Sequence, residues 1–274
     1  MGDRVRQIVQ TYTYFFQAKM ENTKPKYLYK YEAISKQSLE NLKNQVIYFA
    51  SPSKFNDPFD CAINPQVIEP NDEDIEIVRS FFSKNSKYLL EYQIIFDSKE
   101  IKKLHPLLMK ITAETLNKSR ENFLVNKGIS CFSETANNLL MWSHYADKQT
   151  GFCLEFDTAY QPFTKAYKVE YVTDFPELTI SKIFKNSNEI ITKLFCTKSD
   201  DWSYEKEWRC LHTAVNTPFT YHSSTLTGVY FGPETSFTFI EIIALILRSQ
   251  NPIIQLWKGK RSTSKFAVEF EKFT

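Results

Sequence analysis

Trp202-Ser203-Tyr204-Glu205-Lys206-Glu207-Trp208-Arg209-Cys210-Leu211 is the stretch on which the reading of this chain turns. As an extended strand it alternates, so Glu205, Glu207 and Arg209 share one face while Lys206, Trp208 and Cys210 take the other. Two neighbouring carboxylates repel, and a guanidinium beside them offsets that repulsion. Such a row suits a ligand site better than a core, although alone it also reads as a solvated strand face. Two other polar-aromatic clusters favour the site. One is Ile129-Ser130-Cys131-Phe132-Ser133-Glu134, followed by Met141-Trp142-Ser143-His144-Tyr145-Ala146. The other is Phe55-Asn56-Asp57-Pro58-Phe59-Asp60.

Composition narrows the classes. A chain of 274 residues with 42% hydrophobic and 24% charged residues buries a full core as an ordinary globular protein. It is read as a single domain over 1–274, with a helical insertion at about 72–125. A net charge of +2 gives no chain-wide pull toward nucleic acid or membrane. Five scattered cysteines, without a CxxC pair, read as free thiols of a reducing compartment, and no histidine stands at metal-ligand spacing. No metal is expected. The first residues lack the apolar run of a signal peptide, and no segment has transmembrane length, so the expectation is a cytoplasmic protein without membrane contact. Glycine is scarce, at six residues, and neither GxGxxG nor GxxxxGK[ST] occurs. A nucleotide would have to be held by side chains and stacking.

Periodicity places helices at 4–20, 35–43, 72–125, about 135–146, 177–197 and 233–248. Strands are expected at 27–31, 46–50, 129–133, 152–156, 165–172, 228–231, 253–257 and 266–270, besides the acidic stretch. Pro106 marks a kink or boundary in the helical block. Strands and helices without regular βαβ alternation indicate an α+β fold.

The clusters, taken in order, resemble the bacterial family known as domain of unknown function 2971. The resemblance rests on Leu28-Tyr29-Lys30-Tyr31, Ser53–Asp60, Cys131–Glu134, Met141–Ala146, Gly151-Phe152, Trp202–Arg209 and Tyr230-Phe231-Gly232, and so spans roughly residues 27–232. More distantly, the order of parts resembles the ADP-ribosyltransferase superfamily. That resemblance implies an antiparallel split sheet around a cleft that takes NAD as substrate.

Its first strand would place Tyr29, Lys30 and Tyr31 at the dinucleotide. The serine strand would contribute Ser130 and Ser133, and the late acidic segment Glu205 and Glu207. Lys30 replaces the usual Arg or His, and Ser-Cys-Phe-Ser replaces Ser-Thr-Ser. The family's activity implies a macromolecular acceptor, a toxic or anti-phage role, and an antitoxin-like or regulatory partner.

The chemistry suits these residues. Cleaving the nicotinamide–ribose bond passes through an oxocarbenium-like state, which a carboxylate on a ribose hydroxyl stabilises more than it does the ground state. Glu207 is the candidate for that role. Glu205 is the candidate base on the accepting nucleophile, with one pKa of the pair raised by mutual repulsion. Tyr29, Tyr31, Trp142 and Tyr145 offer stacking surfaces, and Lys30 or Arg209 a partner for the pyrophosphate. Asn56, Asp57 and Asp60 form a polar loop at the cleft mouth.

The bland readings stand beside these. Trp142 and Tyr145 fit the buried stripe of an amphipathic helix, and Asp57 fits a turn cap before Pro58. Two rival functions remain: a metal-dependent nuclease gathering Asp57, Asp60, Glu155 and Glu207, and a non-catalytic nucleotide-binding module.

Overall fold

A computed structural model describes residues 24–61, 65–84, 101–185 and 187–273. The helix expected at 4–20 and positions 85–100 of the expected helical block lie outside the described residues. In chain order the elements begin β1 (Tyr27–Glu32), α1 (Lys36–Lys43), β2 (Val46–Phe49), β3 (Gln66–Val67), α2 (Asp72–Lys84), α3 (Ile101–Asn126), β4 (Gly128–Ser133) and α4 (Leu139–Tyr145). They continue as β5 (Phe152–Asp157), β6 (Tyr167–Lys168), β7 (Glu170–Val172), β8 (Glu177–Leu178), α5 (Ile180–Lys185), α6 (Ser187–Leu194) and β9 (Thr197–Ser199). The chain closes with β10 (Glu207–His212), β11 (Thr217–Thr220), β12 (Leu226–Phe231), α7 (Phe237–Arg248), β13 (Gln255–Arg261) and β14 (Val268–Lys272). The fold is mixed α+β.

Two compact units divide the chain. The first takes the described parts of Met1–Val46, Phe132–Ala166 and Thr220–Thr274, the second Ile47–Cys131 and Tyr167–Phe219. A large, mostly antiparallel sheet organises the first unit, in the order β14-β13-β12-β5-β1, and β1 pairs in turn with the end of β4 at Tyr29 and Ser133. Only the β12–β13 pair is parallel among those strands.

Alternation in Phe152-Cys-Leu-Glu-Phe-Asp157 decides which side of the sheet is apolar. Phe152 and Phe156 are buried on one face, where Phe156 packs against Phe132, Phe163 and Tyr221. Each such ring contributes about 1.5–3 kcal/mol by leaving water. Cys153 and Glu155 point to the opposite face with their cross-strand neighbours Tyr29, Tyr31 and Tyr230, and Trp257 follows as the register partner of Tyr230.

Helix α4 starts at Asn138, whose side chain accepts from the amides of Leu140 and Met141. It covers part of that second face. Trp142 lies against Tyr31 and Phe270 and donates its indole N–H to Ala136 O at 2.7 Å. Gly151 follows because the space for a side chain is filled: a Cβ there would stand 2.2 Å from Glu32 O. Helix α7 is capped by Ser236 and buries Ile240, Ile243, Ala244 and Leu247.

In the second unit, α3 supplies Leu116 and Phe123 to a core shared with Ile129 of β4, Ile183 of α5, and Ile190 and Leu194 of α6. Phe123 and Phe195 stack with centroids 3.7 Å apart. A second cluster joins Ile75 and Val78 of α2 to Leu108 and Ile111 of α3. The expected helical block thus contributes directly to this unit's core. Helix α3 runs through Pro106 without ending there. The helix expected over 177–197 is instead β8 followed by α5, α6 and β9.

The decisive stretch also differs from its expectation. Asp200–Glu205 form a 3-10 helix, opened by Ser199, whose hydroxyl accepts from Asp201 N. Lys206 then adopts a left-handed backbone, φ 46°, and β10 starts only at Glu207. Single-strand alternation therefore applies to Glu207 and Arg209 but not to Glu205.

Candidate functional site

The second unit holds a dense group of buried charges. Asp60, Lys198, Glu205, Glu207 and Arg209 have side chains at most 5% exposed. Burying charge is costly unless every group finds a partner, and here they do. Arg209 lies two residues after Glu207, so both point the same way from β10. Its Nε donates to Glu207 Oε1 at 2.8 Å and one terminal nitrogen donates to Oε2 at 2.9 Å. That nitrogen also donates to Asp60 Oδ2 at 2.8 Å. The other donates to Phe195 O at 2.7 Å and to Cys61 Sγ at 3.3 Å. All five guanidinium N–H groups are thereby engaged.

Lys198, on β9, is shared among three acids. Its Nζ lies 2.7 Å from Glu205, 3.5 Å from Asp60 and 3.6 Å from Glu207, and 4.7 Å from the centre of the Trp202 ring. Parallel pairing of β9 with β7 sets Lys198 beside Tyr171. The Tyr171 phenol oxygen accepts from the backbone N–H of Glu207 at 2.8 Å. Asp60 arrives from a turn: Asp57 accepts from Phe59 N through its side chain and from Asp60 N through its carbonyl. Cys61 follows with φ 58°. Asp57 thus performs the turn-capping job.

The electrostatics follow from this crowding. Burial by itself would raise the Glu207 carboxyl, but Arg209, Lys198 and the Cys131 thiol outweigh it and hold Glu207 down at about 2. The Arg209 guanidinium, which the strand pattern already set beside the acids, is the largest of these attractions, and Lys198 adds to it. Burial would lower Lys198, but the attraction of Glu207, Glu205 and Asp60 holds it above its ordinary value. Burial pushes the Cys61 and Cys131 thiols up, so both stay protonated.

The remaining candidates divide between the units. In the second, Ser130 is buried with its hydroxyl lacking a hydrogen-bond partner, and Asn56 is exposed in the Asp57 turn. In the first, Tyr29 and Ser133 are register partners, and the Ser133 hydroxyl accepts from Thr135 N at 3.3 Å. Lys30 points to the sheet face opposite Tyr29 and Tyr31, 3.6 Å from Glu32 and 5.4 Å from the centre of the Phe132 ring. Tyr31 is buried and donates to Thr135 O at 2.8 Å, and Trp142 is wholly buried, as a core residue would be. Tyr145 is partly buried, with its ring 6.2 Å from that of His144.

Lys198 was missed by sequence reasoning. It sits in a three-residue strand without a distinctive neighbour, so its charge alone gave no signal. Tyr171 and Thr227 gave no signal either, and Tyr230 stood out only as part of a family motif, without a site role. Among the described residues, no three of His, Cys, Asp and Glu are grouped so that they could hold a metal ion. No described helix is long and apolar enough to cross a membrane.

The charged group and the segment leading to it carry a recognisable pattern. Residues 141–210 match the family model of a protein of unknown function, DUF2971. The matched segment begins in α4 and ends in β10, so it contains Lys198, Glu205, Glu207 and Arg209. It supports the family resemblance drawn from the clusters. Comparison with curated proteins and with solved structures returns no match.

Proposed function

We propose that this chain is an ADP-ribosyl-transferring enzyme that breaks the nicotinamide–ribose bond of NAD and passes ADP-ribose to a macromolecular acceptor or to water. The observation that carries this reading is Glu207: buried, ionised down to about pH 2, and fixed by both oxygens on Arg209. A carboxylate oriented in advance, away from water, stabilises a developing oxocarbenium ion without reorganising at the moment of reaction. The Arg209 fork uses two of the roughly four acceptor positions of Glu207 and the Cys131 thiol a third, with Lys198 3.6 Å away, so a ribose hydroxyl has one position left to take. As C1′–N1 breaks, the bonding pair leaves with nicotinamide, and the acceptor oxygen closes on C1′ while losing its proton to Glu205. Asp60 and Lys198 complete the surroundings of the acids.

Arg209 acts in this scheme as a positioning residue, since its five donors are already engaged and none is left for a pyrophosphate. Trp142 and Tyr31 serve the core of the first unit. Of the proposed stacking surfaces, Tyr29 and Tyr145 remain partly exposed. A toxic or defensive role, with a restraining partner, follows by analogy with enzymes of this chemistry.

The test incubates the purified protein with labelled NAD and cell lysate, beside Glu207→Gln. Nicotinamide release and labelled acceptor with the wild type, both lost in the variant, support the proposal. No release, together with Mg²⁺-dependent cleavage of DNA or RNA, assigns the chain to the nuclease class instead.

A further inference from the structure

The first unit carries a second carboxylate in a different setting. Glu155 of β5 lies partly buried on the sheet face opposite Phe152 and Phe156, beside Tyr29 of β1 and Gly228 of β12. Its Oε2 accepts from the Tyr29 hydroxyl at 3.1 Å and the Tyr230 hydroxyl at 2.8 Å. Its Oε1 accepts from the Thr227 hydroxyl at 2.7 Å. Three neutral donors hold the carboxylate in one orientation, and the cation that feels its charge, Lys26, is exposed and acts on it at longer range. Burial and the Glu155 charge raise the Tyr29 and Tyr230 phenols, so both remain donors.

The two phenols that hold this charge belong to an aromatic cluster. Tyr230 meets Tyr29 edge-on at 5.9 Å, runs parallel to Trp257 at 5.9 Å and 10°, and receives Phe270 edge-on at 5.0 Å. Tyr29, Tyr230 and Trp257 are all partly exposed, whereas Tyr31 and Cys153, one row along on the same face, are buried.

We infer that Glu155, Tyr29, Tyr230 and Trp257 form a binding site for an N-methylated ammonium group. The charge of Glu155 and the ring faces of the aromatics both attract a cation. Acceptor count then sets its type. Two donors occupy Oε2 and one occupies Oε1, so little acceptor capacity remains for a primary ammonium with three N–H groups or a guanidinium with five. A quaternary ammonium has no N–H to satisfy and presents apolar methyl groups to the rings. Aromatic walls suit a hydrated Mg²⁺ poorly, since that ion prefers oxygen ligands and its own water.

The chemistry is shared by choline-type small molecules and by trimethyl-lysine side chains, and titration calorimetry with each probe separates the two sources. The probes are choline, a trimethyl-lysine peptide, ethanolamine, and 3,3-dimethylbutanol as the neutral isostere of choline. At least one quaternary probe is expected to bind, with ethanolamine and the neutral isostere each about tenfold weaker than choline or undetected. Glu155→Gln keeps an acceptor for the three hydroxyls and is expected to weaken binding about tenfold, as is Trp257→Ala. The wild-type probe series is decisive even where a variant folds poorly. Failure of both quaternary probes to bind at concentrations on the order of 10 mM, equal binding of the neutral isostere or of ethanolamine, or unchanged affinity in folded Glu155→Gln overturns the inference. Probe binding is read without NAD, so failure of this inference and failure of the proposed function are separate results.

Discussion

Arg209 grips both carboxylate oxygens of Glu207, two residues before it on one strand, at 2.8 and 2.9 Å. The pair is planar recognition by a fork, which a lysine ammonium cannot copy. Arg209→Lys is therefore expected to behave almost as a deletion. Removing one partner of a buried charge group costs about 3–5 kcal/mol because the others are left without compensation. Urea unfolding of Arg209→Lys and Arg209→Ala checks this, and a loss below about 1 kcal/mol in both would show the group is hydrated.

Glu207 contributes to the acid limb of stability. Its carboxyl is lowered from 4.5 to about 2 in the folded protein. The unfolded chain therefore takes up the proton first as pH falls. The associated stability is fully present above about pH 4.5 and is lost progressively as pH drops toward about 2. Glu207→Gln removes the titration, so its unfolding free energy should fall less steeply over that interval than the wild type's. Equal slopes from denaturant titrations at successive pH values would refute this.

Lys198 supplies a comparison between buried and surface pairing. Its side chain is 4% exposed and meets three acids, whereas Lys193 and Glu170 pair at 3.2 Å with both side chains more than half exposed. Lys198→Ala should cost about 3 kcal/mol or more. Lys193→Ala should cost under about 1 kcal/mol and less still at high salt. Thermal melts of the two variants side by side give the answer.

Trp142 tests the division between core and ligand surface. It is wholly buried against Tyr31 and Phe270, with its indole N–H bonded to Ala136 O. Trp142→Ala should lose about 3–5 kcal/mol through the cavity left behind. Trp142→Phe should keep most of the packing but leave the Ala136 carbonyl without that donor, at a cost of about 1–3 kcal/mol. A variant that keeps full stability while changing ligand affinity would move Trp142 out of the core.

Much of this architecture was legible in the chain. Phe152–Phe156 is a short apolar run broken by Glu155, and each core strand recovered within a few residues has a period-two pattern or a similar run. The same alternation already separated Lys30 from Tyr29 and Tyr31, although reading them as one gripping segment obscured it. The bend at Lys206 was hidden because nothing in its identity announces a left-handed backbone, so Glu205 was placed on a strand that begins two residues later.

Long-range partners were the least visible. Asp60 reaches Arg209 across 149 positions, and Lys198 of β9 meets Glu205 only because the 3-10 helix between them turns the chain back, and no spacing rule encodes either meeting. Sequence reasoning thus named three of the acids but not the lysine that makes their common burial tolerable.

Quantifying nicotinamide released from NAD by wild type, Glu207→Gln and Arg209→Lys, each confirmed folded by circular dichroism, tests the central claim most directly. The account predicts release by the wild type, loss of at least about a hundredfold in Glu207→Gln, and a substantial fall in Arg209→Lys with little change in KM. Release by folded Glu207→Gln at the wild-type rate, or no release by any of the three, would contradict it.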